Sequence, residues 1–318
     1  MAAHWRFKVA SVTAPLSASH YQHRKLLKVR MDLRSLIDHP SKLPTVPRVT
    51  QRVIASFGAE DVTVGEIAEL IEADPVLSAK LLRLANSSYF QVSRSIESVE
   101  DAIRILGLAM VRHLVLAGGM MGIYVNMPGV DLRQFWAHSL YTACTARWLA
   151  EHCAVDRDQV FALGLMQGIG QLHMHSVAPA ATVALDQQVH VLSAERARSE
   201  TNALGFNYLN VSAALASLWN FPPTLVEPLQ YIADPLAAPH FSAEAATVYL
   251  GAWHARNTLL EASTPDFHLH YPFDVGSRLG ISATWVLPET EVGATDGAAM
   301  PPIPELHELT HGLDEILN

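Results

Sequence analysis

The clearest structural signal in this chain is residues 74–87, which read DPVLSAKLLRLANS. Asp74 followed by Pro75 is typical of a helix start, because the aspartate can cap the first backbone amides and proline fits the first helical position. Apolar residues then recur at helical spacing, namely Leu77, Leu81, Leu82 and Ala85. This segment therefore predicts a helix that buries one face.

Helical patterns continue through most of the chain. Strand signals are weak, because no segment keeps a sustained two-residue alternation bounded by turn residues. Helices are predicted over residues 98–106, 109–117, 132–152, 156–175 with a break at its glycines, 180–189, 193–204, 208–219, 223–232 and 243–260. The sequence thus predicts an all-α fold, a multi-helix bundle in two lobes, residues ~36–125 and ~130–260. Residues 262–302 are predicted to be loop-like, and residues 304–318 to form a terminal helix.

Composition limits the class of protein. The chain has 318 residues, half of them apolar, and a formal net charge of −9, which argues against a general nucleic-acid binder. Cys144 and Cys153 fall on different turns of a predicted helix, so a disulfide is not expected and a reducing cytoplasm fits. No segment reaches the roughly 20 apolar residues that cross a bilayer, and no secretory signal is recognised. We expect a cytoplasmic protein without membrane insertion.

The first 35 residues differ from the rest, because they carry many basic side chains and a single acid, Asp32. One interpretation is a poorly ordered extension, with Met31 as an alternative start. The other is a basic arm that contacts an acidic partner or a membrane surface. The predicted organisation is therefore an N-terminal extension over 1–35, a central domain over 36–240, and a C-terminal helical and loop extension over 241–318.

Several motifs together resemble one known family. They are residues 74–87, IESVEDAIRILG at 96–107, WAHS at 136–139, the segment 161–171 that contains GLMQGIGQ, LWNFP at 218–222 and IADP at 232–235. This pattern is similar to the HDOD family (HD-related output domain) of bacterial signalling proteins, a degenerate relative of the HD superfamily of metal-dependent phosphohydrolases. The resemblance implies an all-helical, HD-like fold and a regulatory role, usually without demonstrated catalysis.

The same resemblance implies which positions would correspond to metal ligands in the catalytic relatives. One histidine is retained at His138, whereas the adjacent His-Asp pair falls on Gln167 and Gly168. Later ligand positions fall on Tyr208, Ile232 and Ala233. Glycine offers no ligand, an amide is a poor one, and a catalytic divalent ion normally needs three protein ligands. We therefore expect a non-catalytic protein without metal or cofactor.

Two alternatives to a non-catalytic regulator stay open. The first is a divergent metal-dependent phosphohydrolase with a relocated site that uses His138, His173 or His175. The second and weaker one is a nucleic-acid-associated regulator that uses the basic arm. No phosphate-binding glycine loop, nucleophile elbow or GYP-type extension supports another activity.

The favoured interpretation is a signalling protein that contacts other signalling proteins or senses a small molecule. The candidate interaction residues are Asp74, Arg83, Asn86 and Ser87. Their structural alternative is a helix cap for Asp74 and a C-terminal turn for Asn86 and Ser87.

Overall fold

The computed structural model describes residues 32–37, 46–56, 62–87, 90, 92–124, 127, 129–262, 270–286 and 302–305. Within these ranges the chain forms helices and turns and no strand, which confirms the predicted all-α fold. The helices are α1 (Leu33–Ile37), α2 (Arg48–Ala55), α3 (Val64–Glu72), α4 (Pro75–Ala85), α5 (Val99–Leu106), α6 (Leu108–Met121), α7 (Leu132–Ala150), α8 (Arg157–Met166), α9 (Ile169–Val177), α10 (Pro179–Asp186), α11 (Arg196–Leu204), α12 (Tyr208–Leu218), α13 (Pro223–Leu229), α14 (Ala243–Leu259) and α15 (Phe273–Leu279). A 3-10 turn, Ala283–Trp285, follows α15. In the described part of the chain, no helix combines the length and apolar character needed to span a membrane.

The start of α4 follows from its local sequence. The Asp74 carboxylate accepts hydrogen bonds from the backbone amides of Val76 and Leu77 at 3.0 and 3.1 Å. Leu77, Leu81 and Ala85 are buried, as the helical spacing predicts. The cap and the buried apolar face both predict a helix that begins at Pro75, and both are present in the structure.

Two hydrophobic cores support the two predicted lobes. One core lies mainly among α2 to α6 and also takes in Phe161 and Leu165 of α8, whereas the other lies mainly in the bundle formed by α7 to α14. Helix α7 contributes to both, because Leu140 and Cys144 belong to the first core while Phe135 and Ala146 belong to the second. Helix α7 therefore contributes buried side chains to the cores of both lobes.

Helix α14 packs along α7 in the most extensive helix–helix contact of the described residues. The approach is close, because a Cβ atom on Gly251 would lie 2.7 Å from the carbonyl oxygen of Thr142. Only glycine permits that separation without displacement of the backbone. The boundary proposed at residue 240 stays a prediction, and the helix beyond it is packed tightly against the bundle.

Part of the predicted N-terminal extension is helical, so the expected poor order is wrong for residues 32–35. These residues lie at the start of α1 or within it, and the helix ends with the buried side chains of Leu36 and Ile37. The Leu36 carbonyl oxygen lies 3.1 Å from Nε2 of His173, which joins α1 to α9. A single helical turn carries too little periodicity to be recognised from sequence. Residues 1–31 lie outside the described part of the chain.

The expectation that residues 262–302 are loop-like is wrong for residues 273–285. Helix α15 and the following 3-10 turn place Trp285 in a third, aromatic core, where it is fully buried. Its indole nitrogen donates a hydrogen bond to the Tyr271 hydroxyl at 3.0 Å, and the Trp253 and Tyr271 rings meet edge to face at 5.2 Å. The predicted terminal helix over 304–318 falls almost entirely outside the described residues.

Candidate functional site

The predicted break in the 156–175 helix is confirmed at Gly168, which with Gln167 forms the turn between α8 and α9. Gly170, the other glycine at which a break was predicted, lies within α9. Ser212 of α12 holds this turn in place. Its hydroxyl donates to the Gln167 carbonyl oxygen at 2.8 Å and accepts from the Gly170 amide at 2.8 Å. The two positions that correspond to the His-Asp pair therefore have a fixed backbone.

The structure brings His138 and Gln167 together. Nε2 of the Gln167 amide lies 3.5 Å from Nδ1 of His138, and Gln167 is 1% exposed. Burial lowers the pKa of His138 to about 4, the nearby charge of Arg256 lowers it further, and a backbone contact with Ala252 opposes the shift. The imidazole is therefore neutral at pH 7.

The space beside Gly168 is filled by an aromatic ring. A Cβ atom at this position would lie 2.9 Å from both Cε2 and Cζ of Phe135. Phe135 is buried on α7, and its ring meets that of Trp136 edge to face at 4.9 Å. A carboxylate side chain at position 168 therefore requires Phe135 to move out of a packed core.

The later ligand positions offer no metal-binding group either. Ile232 is buried in the bundle core, and Ala233 is partly buried next to it. Tyr208 begins α12, and its backbone amide donates to Oε2 of Glu200 at 2.7 Å. Burial raises the pKa of Tyr208 to about 12, so the phenol keeps its proton at pH 7.

An arginine that the sequence did not single out completes this cluster. Arg256 of α14 is close enough to His138, Tyr208 and Tyr249 to act on their pKa values. Burial lowers the pKa of Arg256 itself, and Tyr208 and Tyr249 oppose that shift. Among the described residues no carboxylate forms an ion pair with Arg256. A fixed cation beside the retained histidine opposes binding of a divalent cation there.

Four ionisable side chains, three of them buried and one partly exposed, form a continuous network near this cluster. Asp186 lies 2.9 Å from His175 Nε2 and 2.6 Å from Arg196 Nη1. Arg196 Nε in turn donates to Glu200 at 2.6 Å, and both of these residues are at most 1% exposed. Burial alone would raise the pKa of Asp186, but the hydrogen bonds from His175 and Arg196 lower it overall. Burial outweighs the same kind of pairing at Glu200, so its pKa is raised.

This network of side chains is relevant to the alternative of a relocated metal site. His175 is paired with Asp186, and His173 contacts the Leu36 carbonyl. Within the described ranges, no three His, Cys, Asp or Glu side chains lie close enough together to hold a metal ion. His173 and His175 thus have structural partners, and they do not converge with His138.

The structure assigns local structural roles to most of the candidate interaction residues. Asp74 caps α4, and Asn86 binds the backbone of Ile96 through both ends of its amide, at 2.8 and 2.7 Å. Ser87 is buried, whereas Arg83 lies exposed in the last turn of α4. Their part in binding stays a prediction, and Arg83 is the member whose charge is directed to the surface.

Arg256 and Phe135 are two residues of this cluster that sequence reasoning did not single out. The available signal for Arg256 was its position as the one arginine or lysine in 243–259, seven residues after Tyr249. That spacing puts both on one helical face. The apolar pattern of residues 132–152 places Phe135 on the buried face of a helix, but nothing local connects it to Gly168.

Comparison with known proteins agrees with this architecture. The HDOD domain family model matches residues 43–235. An uncharacterized protein of Treponema pallidum (strain Nichols) is 24% identical over 204 residues, which cover 62% of this chain and 39% of that protein. This chain therefore spans well under half of that relative.

Solved structures show the same fold. A protein of Shewanella amazonensis SB2B, provisionally named a phosphohydrolase, superposes with a TM-score of 0.67 at 24% identity, over 89% of this chain and 96% of that one. An HDOD domain protein of unknown function from Geobacter sulfurreducens gives 0.62 at 24% identity, over 77% and 87%. A protein of Marinobacter aquaeolei VT8, provisionally named a signal transduction protein, gives 0.62 at 20% identity, over 92% and 61%.

Proposed function

The chain belongs to the HDOD domain family, and from that premise we propose that it is a non-catalytic regulatory protein of bacterial signal transduction. It keeps the HD-like helical bundle and uses it to bind, either another signalling protein or a small molecule. The names of two structural relatives point in different directions, one to signal transduction and one to phosphohydrolase activity. The residues at the ligand positions favour the first.

The observation that carries the proposal is the contact between Gly168 and Phe135. The second position of the His-Asp pair lacks a side chain, and the ring of Phe135 lies only 2.9 Å from the position that a Cβ atom would take there. A side chain at position 168 therefore requires the Phe135 ring to shift within the core, and one restored ligand would still lack the other ligands. A catalytic site also needs its ligands held within about 0.5 Å of the productive geometry, which a displaced core does not provide.

Arg256 and His138 support the same conclusion through electrostatics. The histidine is neutral, its Nδ1 faces the Gln167 amide, and the arginine brings a positive charge to the same cluster. A metal ion would have to displace the amide and tolerate the guanidinium. We infer that this cluster does not carry out metal-assisted hydrolysis.

Elemental analysis of protein purified without chelators tests the proposal directly. We expect substoichiometric iron, manganese and zinc, and no metal-stimulated hydrolysis of a simple phosphodiester such as bis-p-nitrophenyl phosphate. One metal ion per chain that is lost in His138→Ala, together with turnover, would overturn the non-catalytic assignment.

A reconstruction experiment tests the steric argument. We expect Gln167→His with Gly168→Asp to bind metal weakly and to be less stable than the parent. Adding Phe135→Ala gives the aspartate room, yet Tyr208 and Ile232 still supply no ligand and no supporting shell orients the new imidazole. Metal-dependent turnover by either variant, well above that of the parent, would contradict the proposal.

Binding to a protein partner is tested by affinity capture from native lysate. Arg83→Glu reverses an exposed charge on α4, whereas Arg52→Glu reverses an exposed charge on α2 outside the family motif at 74–87. We expect Arg83→Glu to lose a partner that the parent and Arg52→Glu both retain. Equal capture by all three proteins would remove the α4 surface from the proposal.

A further inference from the structure

Both ring nitrogens of the buried His175 lie within hydrogen-bonding distance of an oxygen atom. Nδ1 lies 2.7 Å from the carbonyl oxygen of Gln171, one turn earlier in α9. Nε2 lies 2.9 Å from Oδ2 of Asp186, the last residue of α10. A ring turned over by 180° would bring carbon atoms to about these positions, well inside the ~3.3–3.6 Å at which C–H groups contact oxygen. The short distances therefore identify both contacts as contacts of nitrogen.

The two oxygen atoms that face His175 accept hydrogen bonds and do not donate them. One is a backbone carbonyl. The other belongs to Asp186, whose second oxygen accepts from Arg196 Nη1 at 2.6 Å. Burial raises the pKa of this carboxyl, but the hydrogen bonds from His175 and Arg196 lower it below its ordinary value, so Asp186 is ionised. A neutral imidazole has a single N–H and would direct a nitrogen lone pair at one of the two oxygens. Both contacts are satisfied only when the ring carries two protons.

The charged side chains around His175 are compatible with a cationic ring. Asp186 and Glu200 both interact with it electrostatically, and Arg196 lies between these two acids. The other titratable or charged groups on the neighbouring elements are exposed, or neutral at pH 7, namely Arg34, His173, His190, Glu195, Arg198 and Tyr208. Loss of one proton from His175 therefore removes a positive charge directly beside the Asp186 carboxylate.

The contacts of His175 and Asp186 join four helices. Asp186 binds His175 of α9 through one oxygen and Arg196 of α11 through the other, so it ties the end of α10 to both helices. Arg196 then donates to Glu200, which accepts from the backbone amide of Tyr208 at the start of α12. A change at His175 can therefore reach α12 through a continuous series of hydrogen bonds.

We propose that the His175–Asp186 pair is a protonation-dependent contact that holds residues 179–204, which comprise α10 and α11, on the helical bundle. When the Nε2 proton leaves to solvent past the Asp186 side chain, which is 23% exposed, a nitrogen lone pair faces the carboxylate and the hydrogen bond is lost. Its contribution to stability is thus present at acidic pH and is lost as the pH rises through the titration of His175, which is opposite in sign to the effect of the neutral, buried His138. This device does not depend on whether the protein is catalytic, so it goes beyond the proposed function.

Amide hydrogen exchange of the full chain, measured at a series of pH values, tests the proposal. Each rate is divided into the rate of an unstructured chain at the same pH, which gives a protection factor, and ring 15N shifts report the protonation of His175. We expect the protection factors of α10 and α11 to fall about tenfold as His175 loses its proton, since one hydrogen bond to a charged group is lost. The amides of α7 serve as the internal reference and should not follow this titration.

Two histidine variants assign the effect to one ring. His175→Gln does not titrate, so the protection of α10 and α11 should become independent of pH. His190→Gln is the matched control, because His190 is an exposed histidine between the same two helices, and this variant should keep the pH dependence of the parent.

The parent protein alone keeps the proposal falsifiable if His175→Gln does not fold. Full protection of α10 while one ring nitrogen of His175 is unprotonated would overturn it. So would protection factors that stay constant through the titration of His175, or a pH dependence that persists in a folded His175→Gln variant.

Discussion

Gly168→Ala adds a single methyl group next to the Phe135 ring, so it tests the steric effect of that ring without adding a charge or a ligand. The backbone at Gly168 has φ −85° and ψ −9°, which alanine adopts without strain. Without the Phe135 contact, the substitution would stabilise the fold by about 0.4–1 kcal/mol through the unfolded state. The added carbon instead lies 2.9 Å from two ring carbons of Phe135, and overpacking a core typically costs about 1–3 kcal/mol.

The expected result is a net loss of about 1–2 kcal/mol in the free energy of unfolding for Gly168→Ala, measured by urea denaturation at 25 °C. Gly65→Ala is the matched control, because a Cβ atom on that α3 glycine meets nothing within 4 Å. We expect Gly65→Ala to leave the stability unchanged or to raise it.

A double-mutant cycle identifies the ring as the cause. In a Phe135→Leu background the aromatic edge is removed, so Gly168→Ala should cost less than half as much, with a coupling energy of about 0.5–3 kcal/mol. If Gly168→Ala is as stable as Gly65→Ala, or if its cost persists in the Phe135→Leu background, then Phe135 does not block position 168.

Three further outcomes are expected in denaturation experiments. Leu36→Ala should cost about 2–5 kcal/mol, because this α1 side chain is 1% exposed; a loss under 1 kcal/mol would show that α1 does not pack. Glu200→Gln should cost about 1–3 kcal/mol, since the buried Arg196 loses one of its two carboxylate partners and keeps only Asp186. The exposed Glu195→Gln should change stability by less than about 0.5 kcal/mol. Burial lowers the pKa to about 4 for His113, His138 and His254. Between about pH 6.5 and about pH 4 these imidazoles therefore take up protons in the unfolded chain but not in the folded protein, so the free energy of unfolding should fall as the pH drops through this range. Denaturation midpoints that do not change with pH in this range would contradict this.

Local physical chemistry accounts for the parts of the fold that the sequence predicts well. The Asp74 cap, the Ser98 cap of α5 and the stop at Gly107 depend on residues within one or two helical turns. Gly107 has φ +89°, a backbone conformation that side chains disfavour. Such signals are complete within a short window, so the helix bounds there agree with the structure.

The parts that sequence reasoning missed depend on contacts between distant segments. The loop-like reading of residues 273–285 failed because α15 is a short helix, and its neighbour Trp285 is buried against Trp253 of α14. The Gly168–Phe135 contact likewise joins a turn to a separate helix. Arg256 lies beyond the family motifs and becomes relevant only when α14 packs on α7. The lost ligands could be recognised from sequence, whereas what replaces them required the fold.

Helix α7 has a consequence for how the protein unfolds, because its side chains belong to the cores of both lobes. If either lobe opens, buried side chains of α7 become exposed, and the other lobe packs against this same helix. The slowest amide hydrogen exchange should therefore occur along α7, at a single global rate, rather than at two rates for two independent units. Because α7 runs without a break past both cores, a displacement of the first lobe would also move the part of α7 that carries His138.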